Sequence, residues 1–294
     1  TGRGYLLSFL AVAGVFAAAA LVLFPLQHVF EFDPSEGYTL IQSLLYLKDY
    51  SLYDQILSDQ PPLGAFLLTA WIQLFGVSLY GLRIFMLFFS ALLLWAVYLG
   101  VRLYRGPLYG AAASVLLAFS YNYLRLSSSV MTDIPALAFA TLGVYFAHLF
   151  KENLREGPLL LSGALLALAA HCKSITAALA PLVLLDLLAL GFQQSEERER
   201  SCFPLAAALW AAAFLGVYLG VVIFFLPENI DLFLQAFSPK VMGLEKKPSL
   251  GPETVTTLMR WFRKDYEMII MAFAGMFHIV VRDRRREMFH AAWF

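Results

Sequence analysis

Apolar runs of bilayer length recur along this chain, and no other feature restricts its fold as strongly. A backbone crossing hydrocarbon must satisfy its own N–H and C=O groups, so each crossing needs about 20 apolar residues in helical form. By that measure there are eight candidate spans, at 4–30, 79–104, 107–124, 132–150, 158–172, 174–192, 203–226 and 266–281, with a ninth starting near 288. The chain is therefore expected to be an all-α integral membrane protein, a polytopic helical bundle. Of its 294 residues, 60% are hydrophobic and only 14% charged, too little polar surface to face water on all sides. The 21 basic and 21 acidic residues cancel, so nothing in the bulk charge attracts nucleic acid; membrane lipids are the expected surroundings. The first run is too long for a signal peptide and lacks a small-residue cleavage pattern. A start at Thr1 and an end inside the apolar run Met288 to Phe294 read as part of a longer chain.

One segment, Pro61 to Phe75, has the composition of either a span or a surface helix, and the choice inverts everything after it. Basic residues decide. With 61–75 interfacial, inside segments carry eleven basic residues and short outside segments four, Lys48, Arg83, Arg125 and Lys173. Six more lie in a long outside loop, which the positive-inside rule discounts. The expected protein is multi-pass in the cell (inner) membrane with a cytoplasmic N-terminus. Residues 31–78 then form a first outside loop with two interfacial helices, one amphipathic from Glu36 to Tyr50 and one at 61–75. Residues 227–265 form a second, with four prolines and helical spacing from Glu253 to Lys264. Cys172 and Cys202 fall at opposite faces, where they cannot pair.

Ionisable groups at helix centres in a bilayer cost about 2.5–3.5 kcal/mol, so their positions are informative. Asp33, Glu36, Asp59, Asp133, His171 and Lys173 all fall at the expected outer boundary. Carboxylates beside a cation at headgroup depth suit chemistry between a lipid-borne phosphate and an acceptor: an acid removes the acceptor's proton and an ammonium neutralises the leaving phosphate. Ordinary structural roles compete. Asp133 before Ile134-Pro135 also reads as helix capping, Asp59 as a turn before Pro61-Pro62, Lys173 as a snorkelling side chain, and His171 as a minor polar contact. Arg83 and Arg125 read equally as interface anchors. There is no compact metal-ligand cluster, although two or three carboxylates on one face could hold Mg²⁺ or Mn²⁺.

The order of these motifs is familiar. A first helix is followed by Phe32-Asp33-Pro34-Ser35-Glu36-Gly37-Tyr38, Leu52-Tyr53, Asp59-Gln60-Pro61-Pro62-Leu63, Leu74-Phe75-Gly76 and Arg83. Met131-Thr132-Asp133-Ile134-Pro135 then opens a helix, and Gly163 precedes Lys173 across an apolar run. This resembles the GT-C membrane glycosyltransferases, within them the dolichyl-phosphate-mannose-protein mannosyltransferase and aminoarabinose transferase group. The resemblance implies a GT-C-like transmembrane domain over 1–294 and an inverting transferase that takes sugar from a polyprenyl-phosphate-sugar donor at the outer face. It implies Asp33 or Glu36 as catalytic base; Asp133 is expected to share or position that role, and Lys173, Asp59, Gln60, Arg83, Arg125 and His171 are the expected substrate-binding residues. Two departures stand out. The adjacent Asp-Glu pair of the family is spread over Asp33 to Glu36, and a Lys common before the double proline in the aminoarabinose group is Gln60. The altered acidic motif keeps a second reading open, a non-catalytic subunit with partners in a membrane complex. A transporter fits less well, because the interiors of 79–101 and 203–226 hold almost no ionisable groups.

Overall fold

The computed structural model describes residues 2–23, 33–58, 60–193, 202–225 and 230–236. Among them there are helices and turns but no strand: α1 (Gly2–Leu23), α2 (Pro34–Leu47), α3 (Leu63–Phe75), α4 (Leu79–Arg105), α5 (Pro107–Ala118), α6 (Tyr121–Ser128), α7 (Asp133–Asn153), α8 (Glu156–Cys172), a 3₁₀ turn (Ser174–Ala178), α9 (Leu179–Gln193), α10 (Cys202–Phe225) and α11 (Ile230–Ala236). The expected spans at 266–281 and near 288, and most of the loop at 227–265, lie outside the described residues.

Among the described residues, three stretches, Leu79–Arg105, Asp133–Asn153 and Pro204–Phe225, are long and apolar enough to cross a membrane. At 27 residues α4 is about 40 Å long, more than a hydrocarbon core of about 30 Å requires. Along α10, Leu215, Leu219, Ile223 and Phe224 are exposed, an apolar flank suited to lipid and not to water. α4 lies between α5 and α7, α8 packs on α7 and α10, and α1 lies against α4, where Trp95 Nε1 donates to Ser8 Oγ at 3.1 Å. One core gathers Leu68, Leu82, Met86, Leu94, Val130 and Ile134; a second gathers Leu159, Leu166, Val183, Leu187 and Trp210.

The expected span at 107–124 is two helices. α5 stops at Ala118, and the Ser120 side chain caps α6 by accepting from Tyr123 N–H at 3.3 Å. A serine oxygen competing with the helix ladder ends a run that hydropathy reads as continuous. The run at 174–192 likewise opens as a 3₁₀ turn. Pro181 has no N–H for the carbonyl four residues earlier, and the chain uses tighter i→i+3 bonds there.

The region read as the first outside loop contains two short helices, α2 and α3. At 13 residues α3 is about 20 Å long, too short to span, and it packs on α2, α4 and α8. Thr69 Oγ1 donates to the Ser43 carbonyl at 3.1 Å, tying α3 to α2, and Tyr38 Oη and Gln42 Nε2 both donate to the Leu57 carbonyl at 2.8 Å. α11 closes over this unit: Phe233 meets Leu52 and Val222 in a small core, its ring edge-on to Tyr53 at 5.4 Å.

Candidate active site at the α2–α3 end of the bundle

Five helices, α2, α4, α6, α7 and α8, bring their ends together here, and each carries or adjoins a charged side chain. Asp33 caps α2: its backbone is extended and its Oδ1 accepts from Ser35 N–H at 3.0 Å, with Pro34 at the first helical position. Asp33 Oδ2 lies 3.1 Å from Arg125 Nη1 on α6. The carboxylate is 13% exposed, and a carboxylate holds about four lone-pair sites, so these two contacts leave acceptor capacity. Arg125 Nε is buried and, among the described residues, has no acceptor.

Glu36 stands one turn further along α2 in a different environment. It is buried, and Arg83 at the start of α4 grips it with two bonds, Nε to Oε1 at 3.1 Å and Nη2 to Oε2 at 2.9 Å. Val130 N–H also donates to Glu36 Oε1 at 3.0 Å. Arg83, expected toward substrate, is 1% exposed and faces Glu36, behind the surface that carries Asp33.

The second surface pair is Asp133 with Lys173. Lys173 sits in extended backbone between α8 and the 3₁₀ turn, and its Nζ donates to Asp133 Oδ1. Lys173 has no acid near it in the sequence; the antiparallel packing of α7 and α8 supplies one from 40 positions away. Residue 133 opens α7 without a side-chain cap, and its carboxylate turns to the lysine. α3 reaches this pair through Gly64, where an added Cβ would lie 3.1 Å from Thr132 Cβ and in still closer conflict with Thr132 Cγ2.

The remaining expected residues are more scattered. Gln60 is half-buried; its carbonyl accepts from Tyr53 Oη at 2.8 Å, and its Oε1 has no donor among the described residues. His171, expected toward substrate, has no exposed surface; it stacks on Tyr218 of α10 at 4.2 Å and its Nε2 is 2.9 Å from the Tyr218 carbonyl, which makes Nε2 the protonated nitrogen. Asp59 lies outside the described residues. Cys172 is buried and free. No three His, Cys, Asp or Glu side chains converge as metal ligands among the described residues.

The model of the family "Dolichyl-phosphate-mannose-protein mannosyltransferase" matches residues 59–219, more than half of the chain. The chain belongs to that family. Membership in the mannosyltransferase family makes it a membrane glycosyltransferase of the GT-C type, with a lipid-linked sugar as the donor class. The match runs from just before α3 into α10 and so includes Asp59, Gln60, Arg83, Arg125, Asp133, His171 and Lys173, while Asp33 and Glu36 precede it. No curated protein matches the chain.

Sequence reasoning missed two features. The Val130 amide carries no signal, because any residue offers a backbone N–H. Lys151 and Asp186, which pair between α7 and α9, did carry one: Asp186 stands alone inside Leu184-Leu185-Asp186-Leu187-Leu188, where an unpartnered carboxylate is costly.

Proposed function

We propose that this mannosyltransferase-family member is an inverting glycosyltransferase that moves a sugar from a polyprenyl-phosphate-sugar to an acceptor at the outer face of the membrane, with Asp33 as base. The acceptor O–H attacks the anomeric carbon, the bond from that carbon to the phosphate oxygen breaks, Asp33 takes the acceptor proton, and polyprenyl phosphate leaves with its negative charge. The observation that carries this reading is the Asp33–Arg125 pair: a partly exposed carboxylate beside a guanidinium whose buried Nε has no acceptor among the described residues. A buried donor without an acceptor costs about 1–3 kcal/mol, so a phosphate oxygen there is favoured. Lys173, 31% exposed and held by Asp133, adds the second positive charge at the same end. Asp133 orients Lys173, and Gln60 Oε1 offers an acceptor to a sugar hydroxyl.

Asp33 and Asp133 each face a cation, which supports charge neutralisation by Arg125 and Lys173 in place of Mg²⁺ or Mn²⁺. One assay covers both points. Membranes containing the full chain are supplied with radiolabelled polyprenyl-phosphate-mannose and an acceptor extract, with and without EDTA. Asp33→Asn is expected to lower transfer about 10²- to 10⁴-fold, the range of a general base, with membrane insertion unchanged. EDTA is expected to leave wild-type transfer intact. Normal transfer by Asp33→Asn would sink the assignment of the base; loss on EDTA with recovery on Mn²⁺ would put a divalent ion in the mechanism. No turnover of any polyprenyl-phosphate sugar, together with a tightly bound partner, would favour the non-catalytic subunit.

A further inference from the structure

Glu36 and Arg83 are charged, buried and remote from solvent, and the transfer chemistry as written uses neither. Their bonds join three segments. Glu36 belongs to α2, one turn after Asp33; Arg83 belongs to α4; and Val130, whose N–H donates to Glu36 Oε1 at 3.0 Å, lies between Arg125 and Asp133. A charge pair out of water survives only with close geometry and satisfied neighbours, because losing either partner leaves an uncompensated charge. The two-pronged contact at 3.1 and 2.9 Å needs the planar guanidinium; an ammonium carries the charge but cannot form the fork.

We propose that Glu36, Arg83 and the Val130 amide form a positioning frame that sets Asp33 against Arg125, and that neither Glu36 nor Arg83 touches the reacting atoms. α2 is anchored at Glu36, so the cap residue three positions earlier has one height and one azimuth. The same carboxylate anchors the 129–131 connection, five residues after Arg125 and three before Asp133. One buried acid therefore fixes the register between the base and both ion pairs. Pro34, at the first position of α2, stiffens the short link from Asp33 to Glu36. The two acids that composition leaves equivalent divide into one that reacts and one that holds it in place.

The functional half of this proposal rests on the transferase reading, and the experiment separates the two. Full-length Glu36→Gln and Arg83→Lys are purified in detergent beside the wild type and Asp33→Asn. Amide hydrogen exchange is followed in the peptide containing Val130, and kcat, KM and the pH profile are measured with polyprenyl-phosphate-mannose. Arg83→Lys, which keeps the charge, is expected to speed exchange at Val130 and to lower kcat roughly 10- to 100-fold, the scale of a small misplacement, with KM for the donor nearly unchanged. Glu36→Gln, which keeps an oxygen for the Val130 N–H, is expected to retain measurable transfer. Glu36→Gln as silent as Asp33→Asn, with Val130 still protected, would overturn the proposal and make Glu36 a reacting group. Arg83→Lys matching the wild type in both exchange and kcat would also overturn it. If the wild type transfers no sugar from this or any other polyprenyl-phosphate-sugar, the transferase reading falls, and exchange at Val130 alone decides whether the frame exists.

Discussion

Asp186 shows what a single charge demands of an apolar helix. It lies midway along α9, and the fold answers it with Lys151 from the last turn of α7, both side chains largely buried. A pair of this kind adds little net stability over apolar residues of similar size, but removing one partner strands the other. Asp186→Asn is expected to destabilise the protein by about 1–3 kcal/mol, the cost of an unsatisfied buried group, read as a lower unfolding temperature in detergent. The double variant Lys151→Met, Asp186→Leu should recover most of that loss. A double variant no more stable than Asp186→Asn would show that the pair stabilises the bundle outright. Lys173 obeys the same rule at the opposite end of α7, where its partner Asp133 makes an isolated lysine part of an ion pair.

Helix-scale behaviour follows from small residues as much as from apolar ones. Gly163, read in the sequence as the start of a glycine, apolar run and lysine pattern, lies where α8 meets α10. A Cβ there would sit 2.7 Å from the Trp210 carbonyl oxygen and 3.0 Å from the Phe214 backbone nitrogen. Backbone cannot give way as a side-chain tip can. The approach is sealed by Trp210 Nε1 donating to Ser162 Oγ at 3.0 Å. Small residues at such seams allow close helix packing in lipid, where no hydrophobic force separates one apolar surface from another. Gly163→Ala is expected to cost about 1–3 kcal/mol through forced separation of α8 and α10. Gly157→Ala on the same helix, where an added Cβ meets nothing within 4 Å, should be neutral or stabilising. Equal unfolding temperatures for the two variants would refute the close-packing argument.

For the molecule as a whole, the orientation proposed from basic residues puts α2, α3 and the Asp33–Arg125 and Asp133–Lys173 pairs outside. Tyr50, exposed after α2, and Arg155, exposed in the turn between α7 and α8, then lie on opposite sides. In a Cys202→Ser background, Tyr50→Cys should react with a membrane-impermeant maleimide on intact cells and Arg155→Cys only after permeabilisation. The reverse pattern would invert the topology and place the charged end inside. Buried Cys172 should stay silent in both.

Composition and hydropathy by themselves determined that this is a helical membrane protein, because burying unpaired backbone in hydrocarbon leaves few alternatives and scarce charge forces apolar surface outward. The order of short motifs determined its family and pointed to most of the residues at the charged end. Helix breaks were less legible: Ser120 interrupts an apolar run through one local hydrogen bond, which a hydropathy average does not register. Pairing was decided only in three dimensions. Glu36 with Arg83, Asp133 with Lys173 and Lys151 with Asp186 are 35 to 47 positions apart, and which acid meets which base depends on helix packing and not on spacing. Aspartate and glutamate have nearly the same acidity in water, and only two residues separate Asp33 from Glu36. The fold leaves the first partly exposed beside Arg125 and seals the second between α2, α4 and the Val130 amide, so burial and partners, not residue type, set the two acids apart.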